Sequence, residues 1–92
     1  MNKTFNKEEL IQQLQLYVPI VARVHGPSHP EFYEVQNEFV EMTKKLEQQP
    51  EATLDPHFNK LRGITNNYTV PSDVCESYEA VYHMLQQLDE NR

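Results

Sequence analysis

Apolar residues recur three or four residues apart in four separate segments of the chain. This spacing is typical of amphipathic helices, each of which buries one face and leaves the other in water. The stripes predict helices over residues 6–25, 29–48, 55–65 and 73–89. No segment shows the sustained alternation of apolar and polar residues that is typical of a strand. The pattern therefore predicts an all-α fold, an antiparallel four-helix bundle with a short third helix.

Residues that favour helix starts stand before these segments. Asn6 and Glu9 form a capping-box pattern at the start of the first helix. Phe5, just before it, is expected to pack on Leu10 as a hydrophobic staple. The other three helices are each expected to begin with a side chain that accepts hydrogen bonds from free backbone N–H groups. The predicted caps are Ser28, Asp55 and Ser72.

Two prolines bear on the course of the first helix. Pro19 lies inside its apolar stripe, where a proline removes a backbone hydrogen bond at a cost of about 3 kcal/mol. Because the stripe continues in phase through Val21 and Val24, we expect a kink rather than a break. Gly26 and Pro27 are expected to end the helix.

The stripes also predict which side chains meet in a common core. Tyr17 and Val24 belong to the stripe of the first helix, so they are expected to contribute to its buried face. The central core is expected to be formed by Leu14, Val21, Phe32, Phe39, Leu61, Tyr78, Val81 and Leu85.

Composition narrows the class of protein. The 92 residues suit a single domain, 1–92, in which 38% hydrophobic residues must be concentrated on the stripes. A net charge of −6 without a cluster of basic residues argues against nucleic acid and anionic membranes as partners. The single cysteine excludes an internal disulfide framework, and the first ten residues contain no apolar signal segment. We therefore expect a cytoplasmic protein.

Four histidines raise the question of a metal site. A di-iron site in a helical bundle needs several His and Glu side chains that converge from different helices. His25 lies at a helix end, where an imidazole also interacts favourably with the helix dipole without any metal. His29 and His57 lie in first turns, and His83 lies off the apolar stripe, so these three are expected to face solvent.

Other reactive side chains form no recognisable catalytic arrangement. Cys75 has no second cysteine nearby and no Lys or Arg close in sequence. It is interpreted as a small apolar residue at the start of the fourth helix. The chain has no motif context for a Ser–His–Asp triad and no phosphate-binding glycine loop. No enzymatic activity is predicted.

Two patches of the sequence resemble segments of one known family, in the same order along the chain. One patch is VARVHG at 21–26, followed by HPE at 29–31. The other is TNNYT at 65–69, followed by Pro71, Asp73, Cys75, Tyr78, Ala80 and Tyr82. The family they resemble is Repair of Iron Centres, the hemerythrin-like di-iron proteins that repair damaged iron–sulfur clusters.

This resemblance implies a hemerythrin-like bundle but few iron ligands. Of the family's ligand positions only His25 matches, and it is interpreted as a vestige of a degenerate metal-binding site. The blocks that carry further His and Glu ligands in the family have no counterpart after Leu46 or after Leu88. Pro50 and Glu51 stand where the family's third helix begins with adjacent Glu and His. No cofactor is therefore expected, and iron is the alternative.

Two functions remain open at this point. One is a short, ligand-depleted relative of the stress-response repair proteins that acts as a metal-free helical interaction module. Its partner would be another protein or a second copy in a homodimer, bound through an apolar face that the shortened second and fourth helices leave uncovered. The alternative is a di-iron protein that repairs iron–sulfur clusters damaged by oxidative or nitrosative stress, with its site completed by a partner chain.

Overall fold

The computed structural model describes residues 6–91, which form four α-helices. The helices are α1 (Lys7–His25), α2 (Glu31–Gln48), α3 (Asp55–Thr65) and α4 (Glu76–Glu90). No strand occurs within residues 6–91, so the all-α prediction is confirmed. With 11 residues α3 is the shortest of the four, also as predicted. Phe5, the predicted staple on Leu10, lies outside the described residues.

One apolar cluster holds the four helices together. α1 packs against α2 and α4, and α2 packs against α3. All eight side chains of the predicted core are buried in this cluster. Fully burying an aliphatic or aromatic side chain stabilises the fold by about 1.5–3 kcal/mol. The cluster also contains Val18, Val35, Met42, Phe58 and Tyr82.

α1 begins as predicted and is not broken by its proline. The backbone N–H of Glu9 donates to Asn6 Oδ1 at 3.0 Å, which is the first half of the capping box. The helix is continuous through Pro19, whose ring is exposed. Tyr17 and Val24, however, are exposed rather than buried. A stripe through both residues is wider than the face of α1 that α2 and α4 cover.

Two of the predicted caps, Ser28 and Asp55, are wrong. Ser28 lies in the turn after α1, where its backbone N–H donates to the His25 carbonyl at 3.0 Å. Pro30 precedes α2 with helical dihedral angles and no side-chain cap. Asp55 is the first residue of α3 instead of its cap, because the Leu54 carbonyl already accepts the first helical hydrogen bond.

The third wrong cap is Ser72, because α4 begins three residues later than expected. Its first residue is Glu76, and Cys75 holds the N-cap position without a side-chain hydrogen bond to the helix backbone. The loop before it is shaped by residues 66–68, which are three consecutive left-handed residues with φ between 53° and 60°. Left-handed backbone is costly for residues with side chains, so contacts elsewhere must stabilise this loop.

Hydrogen bonds to α3 and α4 provide that stabilisation. Thr65 Oγ1 accepts a hydrogen bond from the Tyr68 N–H at 2.8 Å. The Tyr68 hydroxyl donates to Asp89 Oδ2 at 2.9 Å, and Arg62 Nη1 donates to both oxygens of the same carboxylate. Charge-assisted bonds of this kind are stronger than neutral ones. They fasten residues 66–68 to α3 and to the C-terminal end of α4.

No helix among the described residues is both long enough and apolar enough to cross a membrane.

Candidate functional site

Histidine and aromatic side chains gather where α1 ends and where α2 and α4 begin. Tyr78, fully buried in the first turn of α4, lies at the centre of this group. The His25 ring meets its edge with a centroid distance of 5.5 Å, and the His29 ring does so at 5.6 Å. Phe32 and Tyr82 pack on it at 5.0 and 4.8 Å. We call these five residues the aromatic junction.

His25 pairs with the only cysteine of the chain. Its Nε2 lies 3.0 Å from Cys75 Sγ, although the two residues are 50 positions apart in sequence. The hydrogen bond joins the last residue of α1 to the N-cap residue of α4. Cys75 was expected to be a small apolar residue at the start of α4; it does lie at the N-cap, but it is exposed and its Sγ is hydrogen-bonded to His25. The α4 start was expected at residue 73, which would have placed Cys75 inside the helix.

His29 is not the solvent-facing residue that its position in sequence predicts. Its side chain is only 15% exposed, and both ring nitrogens are bound by carboxylates. Nδ1 lies 3.0 Å from Glu31 Oε2, and Nε2 lies 3.0 Å from Asp73 Oδ1. Burial alone would lower the pKa of His29, but the hydrogen bonds to both carboxylates and their negative charges raise it above 6.5. Through these two carboxylate contacts the imidazole links the start of α2 to the loop before α4.

The two tyrosines of the junction are kept neutral. Their hydroxyl groups form a hydrogen bond of 2.9 Å within the core. Burial, followed by this bond and the negative charge of Glu31, raises the pKa of Tyr78 far above its ordinary value. Burial likewise raises the pKa of Tyr82, although the bond from Tyr78 acts in the opposite direction. Both groups therefore serve as packed hydrogen-bonding phenols at neutral pH.

The remaining two histidines lie away from the junction. His57, in the first turn of α3, donates through Nδ1 to Glu38 Oε2 of α2 at 2.5 Å. Both side chains are largely buried, so the expectation that His57 faces solvent is wrong. His83 is exposed on α4, as predicted.

A different surface stands out on the side of α1 that faces away from the core. Apolar side chains there are open to solvent at helical spacing, and no charged residue occurs between Glu9 and Arg23. We call these side chains the outer strip. It consists of Leu16 (67% exposed), Tyr17 (41%), Ile20 (47%) and Val24 (60%).

Comparison with known proteins supports the resemblance seen in the sequence. The chain is 25% identical to the iron-sulfur cluster repair protein ScdA of Staphylococcus haemolyticus (strain JCSC1435) over 114 residues. The match covers 88% of this chain and 51% of the relative, so the chain spans about half the length of that protein. No family model matches the chain, and no solved structure matches it.

The length of the match is informative in itself. The matched region of 114 residues exceeds the 92 residues of this chain. The relative therefore has residues within the matched region that this chain lacks.

The histidines do not form a centre that would suit a pair of iron ions. Such a centre requires imidazoles and carboxylates that converge with free lone pairs. Here both nitrogens of His29 are bound to carboxylates. His57 lies on α3 and is bonded to Glu38 of α2, away from His25 and His29. In the part of the chain that the structure describes, no group of three or more His, Cys, Asp or Glu side chains is arranged to hold a metal ion. His25 has Cys75 and Tyr78 as its nearest side-chain partners.

Proposed function

We propose that this chain is a metal-free helical interaction module built on the scaffold of an iron–sulfur cluster repair protein. The similarity to the staphylococcal repair protein supports the origin of the scaffold. The proposal includes an antiparallel, hemerythrin-like order of the four helices. It assigns no catalytic step to the chain and no resident cofactor.

The metal-free part of the proposal is carried by the hydrogen bonds that His29 and His57 form with carboxylates. An imidazole can bind a metal only through a nitrogen that is free of its proton. His29 donates two hydrogen bonds to carboxylates, and His57 donates one to a carboxylate on a neighbouring helix. These side chains therefore act as links between elements, which is a structural use of residues that a di-iron protein would turn inward.

The interaction part of the proposal is supported by the outer strip. Isolated apolar residues on a protein surface are common, but a row of them at helical spacing is typical of a binding face. Leu16, Tyr17 and Ile20 lie within residues 10–22, which carry no charge. Val24 follows directly after Arg23. Depletion of charge is a feature of the centres of protein interfaces.

Iron content tests the metal-free part directly. We expect purified protein from iron-replete, anaerobic expression to contain well under one iron per chain, because no convergent ligand set is present. Elemental analysis of the full 92-residue chain measures this, with His25→Ala as the matched variant. Wild type and variant should carry the same trace amount and the same helical circular dichroism.

The second candidate function predicts a different result in the same experiment. A di-iron repair protein would return about two irons per chain and an oxo-bridged absorption band. If His25 were a ligand, His25→Ala would lose that iron without loss of helical content. In the wild-type protein, either about two irons per chain or the oxo-bridged absorption band would overturn the metal-free proposal.

A further inference from the structure

The outer strip of α1 lies on one face together with two charged residues of opposite sign. An α-helix has 3.6 residues per turn, so positions seven apart lie nearly above one another. Glu9, Leu16 and Arg23 are spaced in this way, and Glu9 and Arg23 are both exposed. Ile20 lies one turn after Leu16 on the same side. From the N-terminal to the C-terminal end of α1, this face is therefore acidic, then apolar, then basic.

This order of charges is complementary to itself when one copy is reversed. In a two-fold arrangement of two antiparallel α1 helices, the acidic end of each helix faces the basic end of the other. Glu9 and Arg23 are both seven positions from Leu16. With Leu16 near the two-fold axis, each Glu9 would face Arg23 of the second copy, and the apolar side chains would pack between the two ion pairs.

We propose that the outer strip binds a second copy of this chain through an isologous, antiparallel contact of the two α1 helices. The net charge of −6 means that two copies repel each other over most of their surfaces. Residues 10–22 form an uncharged stretch, so two acidic chains can approach here with little local repulsion. Contacts of one helix face are small, so the association is weak and in the micromolar range.

The inference rests on the proposed interaction function, to which it gives a partner. It also places the uncovered apolar face on α1 instead of beside the shortened second and fourth helices. The large apolar side chains exposed in the described part of the chain include none at the C-terminal ends of α2 or α4; Leu46 is half-buried and Leu88 is buried. Among the described residues, the exposed large apolar side chains are concentrated on α1, and α2 contributes only Tyr33 and Val40.

Sedimentation of the 92-residue chain from low to high micromolar concentration tests the contact. Wild type is expected to shift from monomer to dimer over this range. Ile20→Glu places a carboxylate in the contact of each copy, and should weaken dimerisation by at least about tenfold. Val40→Glu is the matched control, because Val40 is an apolar residue of α2 with 40% exposure that lies off the strip. The control should dimerise like wild type.

Charge exchange tests the antiparallel geometry. Glu9→Lys alone and Arg23→Glu alone each place like charges opposite one another, and each should weaken the dimer. The double variant restores opposite charges at both ends, so its dimerisation should return toward that of wild type. Circular dichroism of the dilute monomers reports whether the substitutions have changed the helix itself.

Several results would overturn the inference. These are a strict monomer at high micromolar concentration, equal loss of dimer in Ile20→Glu and Val40→Glu, or a double charge variant as weak as the single ones. The proposed function is judged separately, by iron content. A monomer without iron would exclude the second copy as partner but would not exclude a metal-free interaction module. A dimer that contains iron would exclude the metal-free function but not the contact between copies.

Discussion

Gly26 lies where α1 ends against Tyr33 of α2, and the site has no room for a side chain. A Cβ at this position would overlap the Tyr33 ring and the Ala22 carbonyl oxygen. The tyrosine is partly exposed and can move, but the carbonyl belongs to the backbone of α1. We expect Gly26→Ala to lower the free energy of unfolding by about 1–3 kcal/mol, the usual cost of overpacking. Urea denaturation followed by circular dichroism measures it.

The second glycine of the chain is a matched control for this prediction. Gly63 lies inside α3, and a Cβ added there would meet nothing within 4 Å. Glycine in a helix interior is about 0.5–1 kcal/mol less stable than alanine. Gly63→Ala should therefore stabilise the protein while Gly26→Ala destabilises it. Equal effects of the same sign at the two sites would contradict this account of Gly26.

At the scale of the elements, local signals predicted the helices well and their junctions poorly. The cap at Asn6 depends on residues three positions apart, so the sequence pattern shows it directly. The loop between α3 and α4 is instead held by a long-range bond, from the Tyr68 hydroxyl to Asp89, 21 positions away. No periodicity encodes that bond. Ser72 has the side chain of a good local cap, but α4 begins at Glu76.

The contacts of His29 are a second case that local sequence patterns do not predict. They also make the packing of α2 against the loop before α4 sensitive to pH. Its folded-state pKa is raised above 6.5 by carboxylates on both sides, which outweigh the effect of burial. The stability it contributes is therefore fully present below the unfolded-state pKa, and is lost as pH rises through the folded-state pKa. We expect the free energy of unfolding to fall on going from about pH 6 to about pH 8.

His29→Gln separates this effect from those of the other ionisable groups. The glutamine amide can still form hydrogen bonds at this position but carries no charge. The difference in stability between wild type and variant, measured by urea denaturation, should be largest at the acidic end and shrink as pH rises. A difference that stays constant or grows with pH would show that His29 is not held in its protonated form.

At the scale of the whole molecule, the sequence predicted which residues are buried but not which functional groups meet. The apolar stripes identify side chains such as Leu14 and Phe39 because burial follows helical periodicity. The pairing of His25 with Cys75 depends on how α1 and α4 approach each other, which no local pattern contains. The outer strip had a signal in the sequence, namely the absence of charge from residue 10 to residue 22. The apolar periodicity of α1 instead predicted that two of its members, Tyr17 and Val24, lie in the core.

Because one apolar cluster includes residues of all four helices, the molecule is expected to unfold as a single cooperative unit. Phe39 of α2 lies in that cluster with 3% exposure. Truncation to alanine removes most of a buried ring, and should lower the free energy of unfolding by about 3–5 kcal/mol. Urea denaturation followed by circular dichroism measures the change. Tyrosine fluorescence, which includes the buried Tyr78 and Tyr82, should give the same midpoint.

The neighbouring residue provides the control for this last prediction. Val40 is 40% exposed, so Val40→Ala removes much less buried surface and should change stability by less than about 1 kcal/mol. A loss below about 1 kcal/mol for Phe39→Ala would mean that the four helices do not share the core described above. Separate midpoints for the two probes would mean that part of the bundle unfolds independently.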